Sequence, residues 1–276
     1  MRNASPLRYP GGKWRLAPFF ERLIQLNGLK GHRYVEPYAG GASLALSLLI
    51  GGVVSEIHLN DLDPAIHAVW SAILKRNRDF CDLVQRTRVT ANEWERQREI
   101  YDKGLLGGML AFGFATFFLN RTNHSGILNG GMIGGKKQAG DWKIDARFNK
   151  PELVWRIQRI GELKHRIAIT HTDAVQLLQE TRSMRNSLVY LDPPYFRSGA
   201  HLYLNAYKPE DHAKVKKEVS RLDAPWIVSY DDVPEIRRLY HDVRSRRFEL
   251  LHTARSLRTG KEVLFFSREL RIPMLK

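Results

Sequence analysis

The feature that most constrains this chain is a rhythm. Short apolar, strand-like runs recur at 33 to 36, 55 to 60, 166 to 170, 187 to 191 and 225 to 229. Helical spacing marks 14 to 27, 43 to 50, 64 to 76, 150 to 164, 173 to 181, 208 to 221 and 233 to 240. In the first of these, Leu16, Phe19, Phe20, Leu23 and Ile24 recur near a helical period. Alternation of this kind predicts an α/β fold with a doubly wound, mostly parallel sheet, because parallel neighbours need crossover connections and helices supply them. Two late strands, 245 to 252 and 262 to 267, joined through Thr259-Gly260, predict an antiparallel edge.

The rhythm breaks between 77 and 149. Residues 79 to 88, 92 to 103 and 107 to 119 have helical patterns, and a basic, glycine-rich stretch from Asn120 to Gly140 follows. That stretch is too long for an ordinary connection. The expected organisation is a core made of 1–76 and 150–276, with 77–149 as an inserted, mainly helical lobe. A chain of 276 residues has room for both.

Charge narrows the class of partner. Lys and Arg number 44 against 29 Asp and Glu, for a net charge of +15. Such an excess attracts polyanions at long range, so nucleic acid is the expected partner. No apolar run is long enough to cross a bilayer, and the opening residues lack the apolar stretch of a signal peptide. Cys81 is the only cysteine, which excludes an intrachain disulfide and suits a reducing, cytoplasmic setting. The ten histidines show no close His/Cys spacing, so no metal site is expected.

Three strand ends carry chemistry. The first is Tyr34-Val-Glu-Pro-Tyr-Ala-Gly-Gly41, where a strand gives way to a glycine turn and a helix. In a doubly wound sheet, ligands bind at such carboxyl ends, and glycine lets the backbone approach them closely. The G-x-G-x-x-G spacing of a dinucleotide site is absent, which counts against a nicotinamide oxidoreductase. The second is Asn60-Asp-Leu-Asp63. An acid here suits the hydroxyls of a ribose, and Asp63 before Pro64 also suits a helix N-cap, so Asp61 takes the first role and Asp63 the second. The third is Asp192-Pro-Pro-Tyr195. Its carboxylate accepts from an amino group, the proline turn aims a carbonyl at the same amine, and Tyr195 offers a flat face for a base.

Pro-Gly-Gly-Lys at 10 to 13, Glu-Pro-Tyr-Ala-Gly-Gly at 36 to 41, Asn-Asp-Leu-Asp at 60 to 63 and Asp-Pro-Pro-Tyr at 192 to 195 together resemble the Dam-type (D12 class) DNA adenine-N6 methyltransferases, in the same order and over nearly the whole chain. The resemblance implies a methyltransferase-type sheet, S-adenosylmethionine as cofactor and double-stranded DNA as partner. It also implies base flipping and DNA methylation, with a restriction-modification pairing as one setting and a monomer in solution. Tyr9 and Lys13 fall where the family places an aromatic residue and a lysine beside the cofactor. Glu36, Pro37, Tyr38, Ala39, Gly40 and Gly41 match the loop around its methionine portion, and Asp61 matches the ribose acid. Asp173 matches an acid near its adenine, and equally suits an N-cap for the following helix. Asp192, Pro193, Pro194 and Tyr195 match the catalytic loop, with Asp192 also near the cofactor.

By the same resemblance the inserted lobe reads DNA. Leu119 to Asn129 matches the family's reading hairpin, which makes Arg121, Asn123, His124, Ser125 and Asn129 candidates, with Lys136 and Lys137 beside them. Members that read GATC carry Tyr-Asn-Gly and then Arg here; this chain has His124-Ser125-Gly126 and Asn129. Asn favours adenine and Arg favours guanine in the major groove, so GATC does not follow. Arg255, Arg258 and Lys261 form a second basic loop, suited to phosphates or to plain solvation. Residues 196 to 207, with Tyr203 and Tyr207, resemble a segment that closes over the base, although packing explains such aromatics equally well. Cytosine-N4 methylation follows the same amine chemistry, and an inactive DNA-binding relative is the non-enzymatic alternative.

Overall fold

The computed structural model describes residues 3–9, 12–196, 207–252 and 258–274, with the side chains of 249–252 and 258–260 left aside. The chain divides into two compact units: one holds 13–62 and 166–276, the other 2–12 and 63–165.

The first unit is built on seven strands: β1 (Arg33–Glu36), β2 (Glu56–Asn60), β3 (Ile167–Thr170), β4 (Ser187–Leu191), β5 (Trp226–Asp231), β6 (Arg244–His252) and β7 (Arg258–Phe266). Their order is β3-β2-β1-β4-β5-β7-β6. The first five run parallel, and β7 enters antiparallel between β5 and β6. The expected mostly parallel sheet with an antiparallel edge is therefore present. Thr259 and Gly260 lie inside β7 rather than in a turn, because the ladder with β6 continues to Arg258. From β1 the chain winds outward to β2 and β3, then returns to add β4 on β1's other side. That reversal makes the carboxyl ends of β1 and β4 the switch point where ligands bind.

Side chains alternate across the sheet. On one face, Phe20 of α1 (Ala17–Leu26) meets Tyr34 and Tyr190 edge-on at 6.3 and 5.0 Å, and Phe19 meets Phe266 at 6.2 Å. A 3-10 turn, Lys13–Leu16, leads into α1, and α2 (Ser43–Ile50) follows β1. On the other face, Val35, Val189, Leu191 and Val228 form a core with Leu177, Leu178, Val215, Val219 and Ile236. These last come from three later helices.

The second unit is helical: α3 (Pro64–Lys75), α4 (Asn77–Arg86), α5 (Ala91–Asp102), α6 (Met109–Thr122) and α7 (Lys150–Glu162). The segment 77–149 lies within it, together with α3, α7 and 3–9. Asp63 caps α3 by accepting from the Ala65 N–H at 2.8 Å. Helices α3 and α6 approach backbone to backbone at Gly113, where a Cβ would stand 2.5 Å from the Ala68 carbonyl oxygen. Only glycine fits such an approach. The first unit's later helices are α8 (Ala174–Glu180), α9 (Pro209–Val219) and α10 (Pro234–Leu239). Among the described residues no helix is long and apolar enough to cross a membrane.

Candidate active site

The turn after β1 is tied to the end of β2 by a chain of hydrogen bonds. The Gly40 N–H donates to Asp61 Oδ2 at 2.7 Å, and the Ala39 N–H donates to the Asn60 carbonyl at 2.8 Å. Gly40 has φ +45°, in the left-handed region that glycine adopts without strain. Ala42, which opens α2, stands at φ +46°, where a Cβ makes that conformation costly. Asn60, fully buried, is the knot of this end of the sheet. Its Nδ2 donates to the carbonyls of Pro37 and Thr172 at 3.0 and 2.9 Å, while Oδ1 accepts from the Thr170 hydroxyl and the Thr172 N–H at 2.8 and 3.0 Å. One carboxamide thus joins the ends of β1, β2 and β3.

Glu36, at the end of β1, is buried and accepts from the Tyr34 hydroxyl at 3.0 Å. Burial, opposed by the Tyr34 hydrogen bond and reinforced by the nearby Asp192 carboxylate, pushes its carboxyl up to about 8. Tyr38 shares a 2.9 Å hydroxyl contact with Tyr207. Asp173 is exposed and caps α8, its Oδ1 accepting from the Val175 and Gln176 N–H groups at 2.9 and 3.2 Å. The N-cap role is thus filled.

At the end of β4 the loop residues Pro193 and Pro194 are buried. The Asp192 carboxylate is held from both sides: Ser229 donates to Oδ1 at 2.6 Å, and Lys13 Nζ donates to Oδ2 at 2.7 Å. Lys13 also donates to the Tyr195 hydroxyl at 2.9 Å and lies 3.6 Å from Glu262 Oε2. The Tyr195 hydroxyl in turn donates to Glu262 Oε1. Glu262 is buried, and desolvation pushes it up to about 7, opposed by the charge of Lys13 and reinforced by that of Asp192. Ser229 and Glu262 were missed in the sequence. Their signal is there: Ser229 interrupts the apolar run Trp226-Ile-Val-Ser-Tyr, and Glu262 directly precedes the apolar run Val263-Leu-Phe-Phe.

Tyr9 belongs to the second unit, where its carbonyl accepts from the Gly12 N–H at 3.1 Å. Within that unit the expected reading hairpin begins as helix, since α6 runs to Thr122. The chain then makes a 3-10 turn at His124–Gly126, with Ser125 at φ +57°, and is closed by an antiparallel bridge between Asn123 and Met132. Asn123 is turned inward. It accepts from Trp94 Nε1 at 2.7 Å and donates to the carbonyls of Ile127 and Leu128 at 2.9 and 3.0 Å, so its carboxamide holds the loop rather than facing a partner. Arg121 is half-buried and donates to the Arg147 carbonyl. Desolvation, with Arg8 and Arg156 nearby, lowers it to about 9. His124 and Asn129 are exposed on this loop, with Ser125 half-buried between them, and Lys136 and Lys137 are exposed on the turn that follows Met132. Asn120 anchors the N-terminal segment to it, accepting from the Arg8 N–H at 2.8 Å and donating to the Arg8 and Gly126 carbonyls at 2.7 and 2.8 Å. In the first unit, Lys261 is exposed on β7, and Arg258 is placed there by its backbone alone. Arg255 and Tyr203 lie outside the described residues.

A carboxylate fixed at the switch point beside a rigid proline turn suits an amine as substrate. Two further acids, Glu36 and Asp61, stand at the neighbouring strand ends, and together they suit a ligand with an ammonium group and a ribose. S-adenosylmethionine has both, and the class is that of the S-adenosylmethionine-dependent methyltransferases. The model of the D12 class N6 adenine-specific DNA methyltransferases matches residues 9–106 and 110–256, and the chain belongs to that family. No match is found among curated protein sequences. Among solved structures the chain is similar to the rRNA methyltransferase aviRa from Streptomyces viridochromogenes, at 14% identity and a TM-score of 0.43, covering 95% of this chain and 87% of that one. It is also similar to PH1948 from Pyrococcus horikoshii, at 12% identity and a TM-score of 0.44, covering 95% and 87%. TrmN from Thermus thermophilus follows at 11% and 0.42, covering 92% and 48%.

Proposed function

We propose that this adenine-specific methyltransferase acts on double-stranded DNA at a particular sequence, on an adenine turned out of the helix, with Asp192 and the Pro193 carbonyl as acceptors for its N6 amine. The observation that carries this reading is the two-sided hold on Asp192 by Lys13 and Ser229, which fixes a carboxylate in place before any substrate arrives. Preorganised acceptors of this kind stabilise positive charge as it develops on nitrogen, without reorganising during the reaction. When bound, S-adenosylmethionine supplies the methyl group as an electrophile. Glu36 and Asp61 would hold its ammonium and ribose, with the turn from Pro37 to Gly41 around it and Asp173 toward its adenine.

Tyr195 is the platform for the flipped base, whose departure from the stack costs a few kcal/mol. Asp192 orients the amine rather than fully deprotonating it, because the methylated nitrogen is acidic enough to lose its proton afterwards. His124, Ser125 and Asn129 contact DNA from their loop, Lys136 and Lys137 from the turn that follows it, and Arg121 and Lys261 add positive charge. The reading carries with it a monomer working in the cytoplasm, with or without a cognate restriction enzyme.

The test is labelled-methyl transfer to unmethylated DNA, followed by nucleoside identification. N6-methyladenine is the expected product, and N4-methylcytosine would refute the reading. Asp192→Ala should abolish transfer while cofactor binding persists; near-normal turnover in that variant would refute the assigned role.

A further inference from the structure

We propose that Glu262 is a positioning residue for methyl transfer, holding Lys13 and the Tyr195 hydroxyl in one network and thereby setting both the acceptor strength of Asp192 and the plane of Tyr195. The inference rests on the function proposed above and deepens it.

The network is compact and comes from distant parts of the chain. Lys13, 4% exposed, lies on the 3-10 turn before α1, Asp192 and Tyr195 follow β4, and Glu262 comes from β7. The Lys13 ammonium is shared between Asp192 at 2.7 Å and Glu262 at 3.6 Å, and it also donates to the Tyr195 hydroxyl at 2.9 Å. That hydroxyl donates to Glu262. Tyr195 is therefore pinned at its tip from two directions, which fixes the face it turns to a base.

The charge argument concerns Asp192. A lone ammonium at 2.7 Å would draw most of the carboxylate's acceptor capacity to itself. A second carboxylate on the same ammonium takes part of that field, leaving Asp192 a stronger acceptor for an amine gaining positive charge. A glutamate in the middle of the sheet, 1% exposed, is costly to keep unless it is paired in this way.

Glu262 faces Lys13, Asp192, Tyr195 and, more distantly, Tyr190, and Asp231 lies opposite it in the β5–β7 ladder. Its carboxyl sits at about 7, so its charge changes within the working range of pH. Protonation leaves Lys13 to Asp192 alone and weakens the acceptor; ionisation restores the sharing. Transfer should accordingly speed up as pH rises through neutrality.

The experiment is single-turnover transfer of labelled methyl from S-adenosylmethionine to unmethylated DNA, with melting temperature and cofactor affinity measured alongside. For the wild type, the rate should rise about fivefold between roughly pH 6 and pH 8. Glu262→Gln should be slower by roughly tenfold and flat across that interval, with cofactor affinity kept, and Glu262→Asp should recover the slope. A Glu262→Gln rate within about twofold of wild type, or a slow rate with the same slope, overturns the inference. Should Glu262→Gln fail to fold, Tyr195→Phe carries the test, since it keeps the ring and deletes the hydroxyl. A clear loss of rate supports the network, and an unchanged rate overturns it. A wild type that methylates no adenine removes the underlying function as well. A wild type that methylates adenine beside indifferent variants removes the inference alone.

Discussion

Ser229 reaches from β5 to the residue that ends β4, its hydroxyl donating to Asp192 Oδ1 at 2.6 Å. Ser229 Oγ in turn accepts from the Tyr190 hydroxyl at 2.9 Å, so a buried tyrosine, a serine and the loop carboxylate form a line. Ser229→Ala leaves the Lys13 contact and deletes one hydrogen bond to a charged group, an interaction of about 1.5–3 kcal/mol. The expected result is a loss of roughly tenfold or more in single-turnover rate with little change in cofactor affinity, read by labelled-methyl transfer and calorimetry.

Asp61 holds the Gly40 N–H in addition to its expected ribose contact. Asp61→Ala removes both, and S-adenosylmethionine binding should weaken by roughly ten- to a hundredfold in calorimetry, on the scale of one or two hydrogen bonds to a carboxylate. Unchanged affinity would move the ribose contact elsewhere.

Asn60→Ala should act on stability first. It leaves two carbonyls and an N–H without the partner that joins three strand ends. The expected loss is about 3 kcal/mol in denaturant unfolding, because buried polar groups then go unsatisfied.

Glu36 gives stability a pH dependence of definite sign. Its folded-state carboxyl is raised to about 8, well above its unfolded value, so the folded chain holds a proton that the unfolded chain releases. Its contribution is therefore favourable at acid pH and is lost as pH rises from the unfolded value through about 8. In the cofactor-free protein, the melting temperature of Glu36→Gln relative to wild type should climb across that window. A constant difference would show that Glu36 ionises without cost.

The sheet was legible because each parallel strand is a short apolar run between helices, and a period of two against one near four is hard to mistake. The strand-end acids were legible for a related reason: Asp61 and Asp192 stand where such runs stop. Ser229 and Glu262 escaped because they lie inside strands, where only the register of β5 and β7 turns them toward β4. Asn60 was visible within its motif, but its four bonds depend on how β1 and β3 end beside it. Asn123 shows the opposite case. As a polar residue in a basic loop it suggested contact with a base, yet the fold turns it inward to Trp94.

Gly113 lies far along the chain from any residue assigned to chemistry, but it governs geometry downstream. It sits on the same helix that carries Asn120, and the loop from Asn123 to Met132 continues from that helix's end. Adding a single methyl group there would push α6 away from the Ala68 carbonyl. Because a helix transmits displacement along its axis, the exposed loop would shift with it. On the function proposed above, a Gly113→Ala protein would then be a misregistered reader: intact at Asp192, intact at His124 and Asn129, and altered in which DNA sequence it marks.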